Sequence, residues 1–322
     1  MNKMLERIVH ANGIDLHIVE CGKGKPVLFL HGFPELWYSW RYQLPYLAVS
    51  GYRAIAVDLR GYGQSSVPDN VRSYSMRNMV EDIVQLLNEL NLDRVALVGH
   101  DWGANIAWTC AQMHPKKFNV LITLSVPFSP RPPMPLTELI KKNSSSFNWL
   151  MYFQEKGIAE SELENDIETS LRRIYYGLSG DAPDELPAKL VAQLPKDSTL
   201  LDPIPDPQSL PKWLQKEDLT YFVNNFKLTG FTGALNRYRN VDYDWADLEK
   251  ESQRKVIQPT LFIGGELDTA TRFNKRGLEA MNQYVPNIKD KIIIPGSGHY
   301  VQQEANEDVN RYIVEFLNQF YI

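Results

Sequence analysis

Six short runs of unbroken apolar sequence, separated by segments with helical spacing, set the strongest limit on what this chain can fold into. They lie at 27–30, 54–57, 95–98, 120–124, 260–263 and 291–294. None alternates as a strand with one wet face would. Continuous apolarity over four or five residues implies burial on both faces, as in a parallel sheet covered by helices. Met79, Ile83, Leu86, Leu87 and Leu90 form a helical stripe between two of these runs, and Val309, Ile313 and Phe316 form another near the C-terminus. Ahead of the first run, alternating segments flank Ala11-Asn12-Gly13 and predict a hairpin over 7–20. The pattern predicts an α/β fold with a mostly parallel central sheet flanked by helices. It stops near Pro127 and resumes over 255–264, leaving a Pro-interrupted stretch of helical stripes between. That stretch reads as a helical cap inserted after the sixth strand. The core then comprises 1–130 and 241–322, and the cap 131–240.

Composition excludes several classes of function. The 322 residues carry a formal charge of −5, which leaves no basic footprint for nucleic acid. No stretch approaches the roughly 20 apolar residues that span a bilayer, and the first residues lack a secretory apolar segment. Cys21 and Cys110 are the only cysteines, too few for a disulfide framework, so a cytoplasmic protein is expected. No cluster suggests a metal site. Arg60-Gly61-Tyr62-Gly63-Gln64-Ser65 is Gly-rich but lacks the Lys-Ser/Thr ending of a phosphate loop, so no cofactor is expected. The sequence leaves the oligomeric state open, a homodimer included.

The chemistry concentrates at Gly99-His100-Asp101-Trp102-Gly103, which runs off a predicted strand into a predicted helix. Glycines two before and two after a central residue fit the nucleophile elbow, a strained strand-to-helix turn that presents one side chain at the sheet's C-terminal edge. With Asp at the centre, the reaction shifts. A Ser oxygen attacking a saturated carbon would leave an inert ether, whereas a carboxylate leaves an ester that activated water cleaves. Asp101 therefore predicts displacement at an sp³ carbon bearing an epoxide oxygen or a halogen, and argues against an ordinary esterase. The base and its acid partner are expected later, each after a strand. Gly296-Ser297-Gly298-His299 supplies His299 as base, and Gly264-Gly265-Glu266-Leu267-Asp268 supplies Asp268 to orient it, with Glu266 as the competing acid. His31-Gly32-Phe33-Pro34 follows the first parallel strand, so the backbone N–H groups of Phe33 and Trp102 are the expected oxyanion hole.

At this point the motifs together resemble a known family. His31-Gly32-Phe33-Pro34-Glu35, the elbow, Tyr152-Phe153-Gln154-Glu155 and Asn236-Arg237-Tyr238-Arg239-Asn240 are similar to those of soluble epoxide hydrolases of the α/β-hydrolase fold. The likeness covers nearly the whole chain, to the plant and bacterial enzymes and the C-terminal domain of the mammalian one. It implies a small apolar epoxide and water as partners, a vicinal diol as product and an ester on Asp101 as intermediate. Two cap tyrosines would hydrogen-bond and protonate the epoxide oxygen. Tyr238 matches one of them. At the other position the sequence has Trp149, whose indole donates a hydrogen bond but gives up no proton. Three readings follow: Tyr238 acts with Trp149 as auxiliary donor, Tyr152 supplies the second phenol, or the substrate is not an epoxide. Haloalkane dehalogenases are also similar, with Trp102 and Trp149 as halide donors. The missing cap tyrosine also leaves open a non-catalytic ligand-binding protein on this fold.

Overall fold

The computed structural model describes residues 3–143, 146–183, 185–186 and 194–322, so the insertion expected over 131–240 lies partly outside the described residues. Eight strands form one sheet: β1 (Leu5–Ala11), β2 (Ile14–Gly22), β3 (Lys25–Leu30), β4 (Tyr52–Val57), β5 (Val95–His100), β6 (Phe118–Leu124), β7 (Thr260–Gly265) and β8 (Ile288–Ile294). Their order is β1-β2-β4-β3-β5-β6-β7-β8. The β1–β2 hairpin joins β4 antiparallel, and all later pairings are parallel. Asn12 and Gly13 both take positive φ at the hairpin turn, as a two-residue turn of matching twist requires.

Burial on both faces follows strand by strand. Leu28 and Leu30 join one apolar cluster while Val27 and Phe29 join the other, and Leu97 and Val98 divide in the same way. The helix Met76–Glu89 buries Met79, Ile83, Leu86 and Leu87 on the first side, and Asn306–Phe320 buries Val309, Ile313 and Phe316 on the second. One expectation is corrected. The run 291–294 lies on β8, where only Ile294 is buried and Ile293 is 40% exposed. As the edge strand it has one neighbour, and its outer residues lie beyond the covering helices.

Between β6 and β7 the described residues form helices and no strand: Leu136–Asn143, Trp149–Tyr152, Ile158–Asn165, Ile167–Gly177, Lys216–Thr229, Thr232–Tyr238 and Val241–Asp247. Asn148 starts the second of these by accepting the N–H groups of Leu150 and Met151, which a helix N-terminus leaves without partners. Two arginines anchor Thr232–Tyr238. Arg239 donates both guanidinium arms to Glu160 and its Nε to the Phe153 carbonyl. Arg237 bonds the Tyr74 carbonyl and Asp244. The intervening Tyr238 is thereby fixed in direction. Among the described residues no helix is long and apolar enough to cross a membrane.

The sheet order places β3 beside both β4 and β5, so the segments leaving β3 and β5 meet at the C-terminal edge, where such sheets hold their ligands. Glycines make the approach possible. A Cβ on Gly103 would run into the carbonyls of Leu30 and His31, and one on Gly99 into the carbonyl of Gly103. Gly103→Ala should therefore lower stability by about 1–3 kcal/mol through overpacking. Urea unfolding followed by fluorescence checks this, and an unshifted midpoint would contradict the packing.

Candidate active site

Asp101 directly follows β5 and precedes the helix Trp102–Met113, with φ at 52° and ψ at −116°. A non-glycine residue pays strain for such a backbone, and here the strain aims its carboxylate outward from the sheet edge. Its Oδ1 accepts the Phe33 N–H at 2.9 Å, so one of the two expected oxyanion donors already faces this carboxylate. Its Oδ2 lies 3.6 Å from His299 Nε2. The other ring nitrogen, Nδ1, is 3.0 Å from Asp268 Oδ1. Asp268 is fully buried and also accepts the Ala270 N–H and the Thr271 hydroxyl. Glu266, the competing acid, is exposed and accepts the Gly296 N–H instead.

Charge sets the titration of this group. Burial opposes the imidazolium of His299, but the Asp268 carboxylate, its hydrogen bond and the nearby Asp101 charge outweigh it, pushing the pKa up to about 9. Burial would raise the Asp268 carboxyl, yet the His299 charge and hydrogen bond hold it below the usual range. Tyr238 is buried, and burial first, then the Asp101 charge, lift its phenol well above the ordinary value. The neighbouring Trp102 side chain acts in the opposite direction.

Asp101, His299 and Tyr238 line a cavity of about 190 Å³ whose other walls are mainly apolar, among them Phe33, Phe147, Trp149, Phe153 and Ile204. Trp149 is 43% exposed, and its ring stands edge-on to Tyr238 with centroids 5.6 Å apart. Tyr152 does not line this cavity. Its hydroxyl donates to Glu162 at 3.0 Å, on a different surface. Trp102 packs edge-on to Tyr238 at 5.1 Å, with the Arg237 guanidinium over its ring.

The sequence reading missed the frame behind these groups. His100 Nδ1 is 2.6 Å from Glu35, and its Nε2 is 2.7 Å from the His299 carbonyl, which also accepts the Ser125 hydroxyl. Glu35 accepts the Gly32 N–H and the side-chain amides of Gln302 and Gln303 as well. Burial would raise its carboxyl, but His100, the Gly32 N–H and the nearby His31 bring it to about 2. One signal was available: His100 lies inside the elbow and Glu35 three residues past Gly32, both polar where the surroundings are apolar.

Residues 25–305 match the α/β-hydrolase-fold family model. The chain is 37% identical over 320 residues to epoxide hydrolase A of Mycobacterium tuberculosis, covering 98% of both chains. It is 37% identical to epoxide hydrolase 3 of Siraitia grosvenorii over 99% of this chain and all of that one. Among solved structures it is similar to an epoxide hydrolase from an endophytic Streptomyces, with a TM-score of 0.94 and 40% identity over 98% of this chain and 95% of that one. Potato (Solanum tuberosum) epoxide hydrolase I gives a TM-score of 0.88 at 36% identity, over 99% and 100% of the chains.

Because the Asp101 charge helps to raise His299, removing it should lower the imidazolium pKa. In Asp101→Asn, His299 is expected to titrate below its value in the unsubstituted protein, read by the pH dependence of its ring nitrogen resonances. Identical titrations would show that the two side chains are not electrostatically coupled.

Proposed function

Because the chain belongs to the epoxide hydrolase family of the α/β-hydrolase fold, we propose that it opens a small apolar epoxide to a vicinal diol through an ester on Asp101. The observation that carries this reading is the facing of one carboxylate, one His–Asp pair and one buried phenol across a single apolar cavity. The Asp101 carboxylate attacks a ring carbon, the carbon–oxygen bond of the epoxide breaks, and Tyr238 gives its proton to the departing oxygen. A phenol held well above its ordinary pKa stays protonated until that alkoxide develops.

Water then attacks the Asp101 carbonyl carbon and passes a proton to His299 Nε2, while Asp268 stabilises the imidazolium. The oxyanion rests against the N–H groups of Phe33 and Trp102, which donate to the developing charge. The ester's acyl–oxygen bond breaks, the remaining water proton passes from the new Asp101 carboxyl to the leaving alkoxide, the diol departs, and the proton on His299 returns to Tyr238. As the ester forms, Asp101 loses its charge and with it part of what raises His299. The base thereby becomes more available at the step that needs it. The reaction uses no cofactor, and every group named lies in one chain, so a homodimer is not required for it.

In this reading the segment 131–240 is the cap over the core segments 1–130 and 241–322, and Trp149 and Tyr238 are its contributions above Asp101. Trp149 acts as wall and auxiliary donor beside a single acid, Tyr238. Tyr152 is left out because its hydroxyl is held by Glu162 away from the cavity. Halide release finds less support, since the relatives are epoxide hydrolases. A binding protein without activity is disfavoured by the complete set of Asp101, Asp268 and His299. Two cysteines in 322 residues suit a cytoplasmic enzyme.

Single turnover of styrene oxide in ¹⁸O water tests the mechanism. Label is expected in the Asp101 carboxylate, because water attacks the acyl carbon, and an unlabelled Asp101 would sink it. Tyr238→Phe should slow ester formation by about 10²–10⁴-fold through loss of the general acid. Trp149→Tyr, which adds a second phenol, should speed ester formation in pre-steady-state kinetics, and no gain would show that one acid suffices.

A further inference from the structure

The proposed reaction uses the ring of His299, but the peptide around that ring is held by a group with no part in the chemistry. Glu304 lies on the short helix Val301–Glu304, and its Oε2 accepts the Gly298 N–H at 2.8 Å while Oε1 accepts the Tyr300 N–H at 2.9 Å. One carboxylate thus grips the residues on either side of His299. The same Oε2 accepts the Gly180 N–H at 2.8 Å, from the segment that follows the helix Ile167–Gly177. Burial raises the Glu304 carboxyl to about 7, while the three N–H groups that converge on it favour its ionised form.

The two loops are also in backbone contact. The His299 N–H donates to the Leu178 carbonyl at 2.8 Å. A Cβ on Gly298 would collide with Ser179, Gly180 and the Leu178 carbonyl, and one on Gly180 with the Gly296 carbonyl. On the other side, His100 and Ser125 hold the His299 carbonyl. Asp268 orients the ring through Nδ1, yet a ring turns with its backbone, and the backbone rests between these partners.

We propose that Glu304 is a positioning residue for His299, and that its carboxylate locks the 178–180 segment of the insertion to the loop that carries the base. This rests on the reading that His299 activates the water that cleaves the Asp101 ester. Attack on the epoxide needs Asp101 and Tyr238 but no base, so loss of the clamp should slow one half of the reaction and spare the other. A role in stability alone would show no such division.

Glu304→Gln separates the two. It keeps the volume but replaces one acceptor oxygen with an amide that cannot accept an N–H, so at least one of the three bonds is lost. With styrene oxide in rapid-quench experiments, ester formation per active site should stay within about twofold of the unsubstituted protein. Ester hydrolysis should slow by about tenfold or more, so kcat and KM fall together and alkylated Asp101 accumulates, visible by mass spectrometry. The burst amplitude counts only folded sites, so the rates hold even if the variant folds poorly. Glu304→Asp, which keeps the charge one methylene short, should fall between. Hydrolysis unchanged in Glu304→Gln, or both halves slowed equally, would overturn the role of Glu304. Absence of any ester on Asp101 in the unsubstituted protein would instead overturn the reading of the site.

Discussion

Within one residue the chain leaves β5 and enters a helix, and the backbone of Asp101 has to sit at a φ of 52° for that to happen. Everything at the sheet edge is arranged around this turn. Gly99 and Gly103 let the strand, the turn and the helix pass within backbone contact of one another and of the end of β3, and Gly32 leaves room for the Asp101 side chain itself. Because β3 and β5 are neighbours, the same approach brings the Phe33 N–H to the carboxylate. Strain of this kind, of order 1–3 kcal/mol, persists only where surrounding structure over-determines it. Here that surrounding structure is two buried faces of sheet and the polar frame of His100, Glu35 and Ser125.

The electrostatics follow from the same crowding. Two carboxylates and an imidazole share a site with few solvent-facing atoms, so each holds the others' ionisation states. His299 is drawn up by Asp268 and Asp101, and Asp268 is drawn down by His299. The phenol of Tyr238 answers to the same field in the opposite sense, since a negative neighbour opposes its ionisation. One charge on Asp101 therefore tunes an acid and a base at once.

Much of this was legible in the residues because local chemistry carried it. Continuous apolar runs gave away the buried strands, and Gly-x-Asp-x-Gly between a strand and a helix gave away the elbow. Asp268 and His299 were found by their place after strands, and the structure brings both to the edge where Asp101 sits. What stayed hidden depends on contacts between distant segments. The sequence cannot show that Tyr152 turns to Glu162, which lies ten residues on and only meets it once the helices pack. Nor does it show that the run at 291–294 is an edge strand, because apolarity there resembles that of a central one. The backbone bonds around His299 left no trace either, since a peptide N–H donates to any residue that places an oxygen nearby.

The helix Ile167–Gly177 has a consequence beyond its place in the insertion. Tyr175 near its end donates to the Pro34 carbonyl, beside Phe33, and Leu178 just past it receives the His299 N–H. One stretch of four residues therefore braces both the loop of Phe33 and the loop of His299. Evolution acting on such an insertion meets two kinds of position. Phe147, Trp149 and Ile204 line the cavity, and Trp149 also stands edge-on to Tyr238. The stretch from Tyr175 to Gly180 is bound to the machinery beneath it and has to change in concert with the core or not at all. Cavity lining and the bracing of the loops beneath it thus fall to different residues of the same segment.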